Sequence, residues 1–316
     1  MKKAMNVLLL TPLFSLLFVH TGVAGAKTDR ALDGLVGPVR TVVVEKTTSA
    51  PTPTPRRDAL SDQFQVVRWQ PDRLDSALPE SRPEWRPEQR FLWHTVAYDA
   101  QGKRTEEAFY TDEGTLRWKW RYTYDAQGRR IVRTSHDAKD IVRWTWRYTY
   151  DPQGQIATQT EHNADGDLAR RWHYIYDASG NVIEENQYDA NGALLWKWRY
   201  TYDLAGQQTT KAQYALHDAL VRTWNYTYDD TGHLREEATY SAFGILMGKR
   251  SYTYDAWGTV TEEQHYKADG SLQGKWRHTY DYDAAGNWIK RTTATWVTTA
   301  DIYASSEITY RTLTYY

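Results

Sequence analysis

Trp118-Lys119-Trp120-Arg121-Tyr122-Thr123-Tyr124-Asp125-Ala126-Gln127-Gly128 is the stretch on which the fold turns. Up to Tyr124 its aromatic residues occupy every second position, with Lys, Arg and Thr between them. A strand points successive side chains to opposite faces, so this run puts its rings on one face and its cations on the other. A helix would scatter the same rings around its circumference. The alternation stops at Asp125-Ala126-Gln127-Gly128, where Asp at the first place and Gly at the fourth suit a type I turn. Gly can adopt the left-handed backbone that lets a hairpin close through a bulge. Strand, turn and returning strand are all expected from this one segment.

The segment recurs. Tyr-Asp-x-x-Gly begins at Tyr98, Tyr124, Tyr150, Tyr176, Tyr202, Tyr228 and Tyr254, each 26 residues after the last. An eighth copy follows after 28 residues at Tyr282, where Tyr280-Asp281 reads as duplicated into Tyr282-Asp283. A second turn position lies inside the units. Gly114, Gly166, Gly192, Gly244 and Gly270 share the 26-residue grid, with Asp140 and Asp218 at the two remaining places. Each unit reads strand, turn, strand, turn. A unit of this size cannot stand alone, so neighbours must stack side by side.

Tyr-x-Tyr-Asp-x-x-Gly preceded by Trp and Arg, as in Tyr122-Thr123-Tyr124-Asp125, Tyr148-Thr149-Tyr150-Asp151 and Tyr252-Thr253-Tyr254-Asp255, resembles the YD repeat of the RHS (rearrangement hot spot) family. The resemblance runs from residue 98 to about 290. It implies a spiralling β-sheet, which large members wrap into a hollow shell around a toxin. No proline-rich core boundary or variable toxin domain is visible here, so the likeness is to short, exported YD-repeat proteins. The fold class expected is all-β: a curled antiparallel sheet, or β-meander, of 26-residue hairpin repeats, with the rings inside the curl and no closed toxin shell.

The flanks read differently. Lys2 and Lys3, an apolar run from Val7 to Val19 and the small-residue pattern Ala24-Gly25-Ala26 form a signal peptide over 1–26, with cleavage expected after Ala26. That run is short of the about 20 residues a membrane helix needs. Residues 27–90 are expected to hold a capping strand from Gly37 to Glu45, a Pro/Thr-rich linker from Thr47 to Pro55, and an irregular segment with one short strand from Phe64 to Trp69. The repeat domain is expected over 91–290. Residues 291–316 should cap the opposite edge with a strand from Ile308 to Tyr316. Without the first 26 residues, 37 basic side chains face 40 acidic ones, a net charge of −3. Nucleic-acid binders carry a basic excess, so no nucleic-acid partner is expected. The chain has no Cys, so packing alone must hold it together. No membrane span is expected beyond the signal peptide, and the location expected is periplasmic or secreted. Oligomeric state has no signature in the sequence.

Two sets of side chains could carry chemistry. The first is the tryptophan stripe: Trp118, Trp120, Trp144, Trp146, Trp172, Trp196, Trp198, Trp224 and Trp276. In adjacent repeats these rings would stand two strand spacings apart, about 10 Å. Such a ladder could grip a sugar polymer, or it could be a core layer; exposure of the rings separates the two. The second set is the acidic pairs Glu106-Glu107, Glu184-Glu185, Glu236-Glu237 and Glu262-Glu263. Paired carboxylates suggest a glycosidase, but adjacent strand residues face opposite ways. They cannot flank one glycosidic bond, across which the carboxyls stand about 5–9.5 Å apart. Pairing with Arg121, Arg147, Arg199 or Arg277 is their expected role. The His residues form no zinc motif. No catalytic residue, metal or cofactor is expected. The function expected is non-catalytic binding of a cell-envelope polysaccharide or protein partner along the sheet. The alternatives are a structural or accessory protein associated with RHS-type toxin systems, and a glycan hydrolase.

Overall fold

Residues 28–48, 90–297 and 301–316 are described by the computed structural model. The expected signal peptide, the linker beyond Thr48 and the Phe64 to Trp69 strand lie outside the described residues. One helical turn, α1 (Asp29–Leu32), comes first, its Ala31 N–H donating to the Thr28 hydroxyl oxygen. The strands follow in chain order: β1 (Val39–Thr48), β2 (Arg90–Tyr98), β3 (Arg104–Tyr110), β4 (Leu116–Tyr124), β5 (Arg130–Asp137) and β6 (Val142–Tyr150). Next come β7 (Ile156–His162), β8 (Leu168–Tyr176), β9 (Val182–Asp189), β10 (Leu194–Tyr202), β11 (Gln208–Tyr214) and β12 (Leu220–Tyr228). The last six are β13 (Leu234–Ser241), β14 (Leu246–Tyr254), β15 (Val260–Lys267), β16 (Leu272–Tyr282), β17 (Trp288–Val297) and β18 (Ile302–Tyr315).

The turns have the chemistry that the sequence implied. At Asp177, the Gly180 N–H donates to the Asp177 carbonyl (3.0 Å), and the Asp177 N–H donates to the Asn181 carbonyl (2.9 Å). The Asp177 carboxylate accepts from the Ser179 and Asn181 N–H groups. Gly180 has φ 86°, a left-handed value that side chains disfavour. In the alternate turns Asp140 (φ 64°) and Asp218 (φ 56°) take the place that glycine fills elsewhere.

The repeat tyrosine then joins one hairpin to the hairpin before it. Tyr150, Tyr176, Tyr202 and Tyr228 donate to the carbonyls of Arg130, Ile156, Val182 and Gln208 at 2.6–2.8 Å, each 20 residues back. Tyr280 does the same to Val260. The eighth copy therefore keeps Tyr280 as its joining residue, and the two extra residues lengthen β16 before the turn. Tyr282 donates instead to Asp255 (2.9 Å).

The sheet corrects the expected curled, open meander. Strands β2 to β18 hydrogen-bond in chain order, and β1 pairs with both β18 and β2. Val42 stands opposite Leu313 on one side and Val96 on the other. The two flanking strands were expected to cap separate edges; they meet, and the sheet closes into an 18-stranded antiparallel β-barrel. Closure pairs the backbone groups that two free edges would leave open. Nothing in the local pattern of either strand encodes a partner so distant in the chain.

The described residues form two compact units. The repeat unit comprises Tyr124–Val132 and Trp144–Met247; the closing unit comprises Thr28–Thr123, Arg133–Arg143 and Gly248–Tyr316. The closing unit holds an apolar cluster of Leu35, Val39, Val42, Val96 and Tyr98, with Val44 and Leu313 against it. Residues ahead of β1 are bound to it by polar contacts. Asn287 accepts from the Val36 N–H (2.7 Å) and donates to the Val36 carbonyl (2.9 Å). Asp33 accepts from Tyr98 and Arg104. In the repeat unit, shelter is spread along the ring face: Trp198, Tyr200 and Tyr202 are half-buried while Arg199 and Thr201 are exposed.

Candidate functional site

Alternation places all nine candidate tryptophans on the face that carries the repeat tyrosines. Their surroundings differ. In the closing unit Phe109 stacks on Trp118 (centroids 3.9 Å apart), and Trp120 lies 5.0 Å from Trp118 with Arg133 over its ring at 4.6 Å. Trp276 meets the His265 ring at 4.7 Å. In the repeat unit Trp198 and Trp224, one repeat apart, have centroids 5.6 Å apart rather than the about 10 Å that strand spacing implies. The reason is Lys211 on the intervening strand. Its ammonium lies 4.2 Å from the Trp198 centroid and 5.9 Å from that of Trp224, and both rings lean toward it. Trp146 and Trp172 are half-buried, and Trp144 and Trp196 remain 39% and 37% exposed.

The acidic pairs split between faces. Glu106, Glu184 and Glu262 lie on the cationic face and accept from Arg121 (3.1 Å), Arg199 (3.1 Å) and Arg277 (3.3 Å). Ahead of Arg147 the grid position that holds these glutamates is Val132, so that arginine has no such glutamate on the preceding strand. The second residue of each pair points among the rings. Sequence reasoning missed this, although the signal was present: positions 107, 133, 159, 185, 211, 237 and 263 on the 26-residue grid are Glu, Arg, Gln, Glu, Lys, Glu and Glu. Charge is thus threaded through the aromatic face.

Two of these carboxyls show what their neighbours do. Glu107 is buried, yet its pKa is held down to about 2. Burial opposes its charge, but a hydrogen bond to His94 (2.9 Å), the Arg104 guanidinium (3.0 Å) and the Tyr122 hydroxyl (2.8 Å) outweigh that penalty. Glu185 has its pKa raised: burial dominates, and the Tyr200 hydroxyl (3.1 Å) and the more distant Lys211 do not offset it. Lys211 is pushed below the usual lysine range, again by burial, against the pull of Glu185 and Glu237. A recess of about 610 Å³ opens near the Asp177 and Asp203 turns, lined in part by Asn181, Ile183, Tyr202 and Leu204. Its two aspartates are engaged with the N–H groups of their own turns.

Known proteins share these repeats. The RHS Repeat family matches residues 98–142 and 176–219. This chain carries RHS repeats over those residues. No curated protein matches it. Among solved structures, a porin-like protein from Bacteroides uniformis is 8% identical, over 88% of this chain and 98% of that chain, with a TM-score of 0.42. The TcdB2-TccC3-Cdc42 complex is 14% identical over 71% of this chain, which spans 14% of that one, with a TM-score of 0.28. The Photorhabdus luminescens Tc holotoxin pore gives 14% identity, 71% and 13% coverage, and a TM-score of 0.27. Likenesses this distant carry no argument about function. In this RHS-repeat chain the tyrosine and aspartate of most copies join hairpins and cap turns, and the residues free to differ between copies are those threaded through the ring face.

Proposed function

We propose that this RHS-repeat protein is a non-catalytic, extracytoplasmic binding protein that holds a cell-envelope polysaccharide against the ring face of its sheet. One observation carries the reading. The apolar cluster lies in the closing unit, built from Leu35, Val39, Val42 and Val96, so the tryptophan stripe of the repeat unit is not that core, and Trp144 and Trp196 reach solvent. Flat, half-sheltered rings suit the apolar faces of sugars. Among the described residues the sheet has no free edge, which favours contact through side chains over recognition by strand addition.

A site within lipid fits poorly. A lipid-facing barrel presents an apolar band about 25 Å tall, whereas here charge stands in mid-strand on both faces: Lys119 and Arg121 on one, Glu107 and Lys211 on the other. Among the described residues no helix is long and apolar enough to cross a membrane. The test is titration of the purified chain, without its first 26 residues, with envelope polysaccharides while tryptophan fluorescence is followed. A saturable change is expected. No change, together with no retention on envelope fractions, would reject the proposal.

A structural or accessory role, with a protein partner, is favoured by a different observation. Phe109 on Trp118, and Trp198 leaning to Trp224 over Lys211, use ring faces for internal packing. Under that reading the protein co-purifies with a protein partner and its fluorescence ignores glycans.

A further inference from the structure

One row of the repeat unit differs from its neighbours. Pairing across five adjacent strands places Tyr148 opposite Gln159, Gln159 opposite Trp172, Trp172 opposite Gln187, and Gln187 opposite Trp196. Ring and amide alternate along it, and no member is ionised at neutral pH. It spans four strand spacings, about 19 Å. The Gln159 and Gln187 amides and the Tyr148 hydroxyl have no hydrogen-bond partner among the described residues, and all are half-buried rather than fully solvated. No ring contact joins Trp172 to Trp196 among the described residues, unlike Trp198 and Trp224.

The charges nearest the row are committed elsewhere. Glu161 accepts from Arg170 (3.4 Å), Glu185 accepts from Tyr200 (3.1 Å), and Asp189 accepts from the Asn191 and Ala193 N–H groups of its own turn. What remains uncommitted is neutral: separated indoles with amide donors and acceptors between them.

We infer that the row Tyr148–Gln159–Trp172–Gln187–Trp196 binds a neutral, pyranose-based polysaccharide; this rests on the polysaccharide reading above. Sugar C–H faces stack on Trp172 and Trp196. Each glutamine amide offers two N–H donors and a carbonyl acceptor, a match for neighbouring hydroxyls. A charged polymer would need an uncompensated opposite charge, and the row has none.

The test uses isothermal titration of the purified chain with hexasaccharides of glucose and of N-acetylglucosamine, beside alginate and chitosan as charged polymers. At least one neutral hexasaccharide binds, and Gln187→Leu and Trp196→Ala each weaken it about tenfold or more with the melting midpoint unchanged. Gln187→Asn, which shortens the amide but keeps its chemistry, shows the same loss and covers the case in which leucine disturbs the sheet. Undiminished neutral binding in these variants, or binding of charged polymers alone, overturns this row while the polysaccharide reading stands. Binding of no polymer of either kind overturns both.

Discussion

Glu107 in the closing unit and Glu185 in the repeat unit occupy the same grid position three repeats apart, and each accepts from a tyrosine hydroxyl on the next long strand. Their carboxyls nevertheless move in opposite directions, Glu107 down to about 2 and Glu185 up. The difference lies in what surrounds them. Glu107 has His94 beside it and Arg104 reaching it from the same strand, and Arg104 is also bound by Asp33 from the segment ahead of β1. Glu185 has a tyrosine and a lysine whose own charge is disfavoured by burial. A repeat delivers a side chain to a place; its neighbours there decide how readily it carries a charge.

The largest way to break this comparison is Arg104→Met. It leaves Glu107 and Asp33 without their shared cation, and breaking a buried pair from one side costs about 3–5 kcal/mol. Denaturant unfolding should register that loss; a cost under about 1 kcal/mol would show that Arg104 is not what keeps Glu107 ionised.

Acid titration comes next. A carboxyl whose folded pKa lies below its unfolded one contributes stability above the unfolded value, lost as pH falls through the folded value. For Glu107, between the ordinary 4.5 and about 2, the contribution is on the order of 3 kcal/mol. Glu107→Gln should therefore be less stable than the parent at pH 7, and the gap should close toward pH 2. A gap that stays constant with pH would mean that charge is not involved.

The tyrosine hydroxyls sharpen the same contrast. A hydrogen bond to a charged acceptor is worth about 1.5–3 kcal/mol and a neutral one about 1. Tyr122→Phe should thus cost more than Tyr200→Phe, whose acceptor has its charge disfavoured by burial, measured as unfolding free energies at pH 7; a smaller cost at Tyr122 would reverse the comparison. Smallest is Glu185→Gln. With a folded pKa raised above the unfolded one, the stability that Glu185 contributes is full below the ordinary carboxyl value and is lost as pH rises through the folded value. The glutamine variant should match or exceed the parent at pH 7, by under about 1 kcal/mol, with no advantage at pH 4. A clear loss at pH 7 would reverse the assignment.

Much of the fold was legible because its signals are local. The alternation in Trp196 to Tyr202 placed rings on one face, and the grid marked Asp140 and Asp218 as turn positions, where the backbone does take positive φ values. The candidate surface was half legible. Its tryptophans share one face, but Trp198 and Trp224 stand closer than strand spacing implies, with Lys211 from the strand between them against both rings. The amides of Gln159 and Gln187 passed unnoticed for the same reason: alone each is an ordinary strand residue, and only the register sets it between rings.

By itself the sequence determined which residues are strands, where they turn and which side chains share a face, since periods of two and 26 depend only on neighbours along the chain. Tertiary structure decided the rest. That β1 joins β18 to β2 depends on groups far apart in the chain, whereas two indoles leaning over one lysine, and Glu107 being ionised more readily than Glu185, depend on the register and burial of adjacent strands, which exist only once those strands have paired.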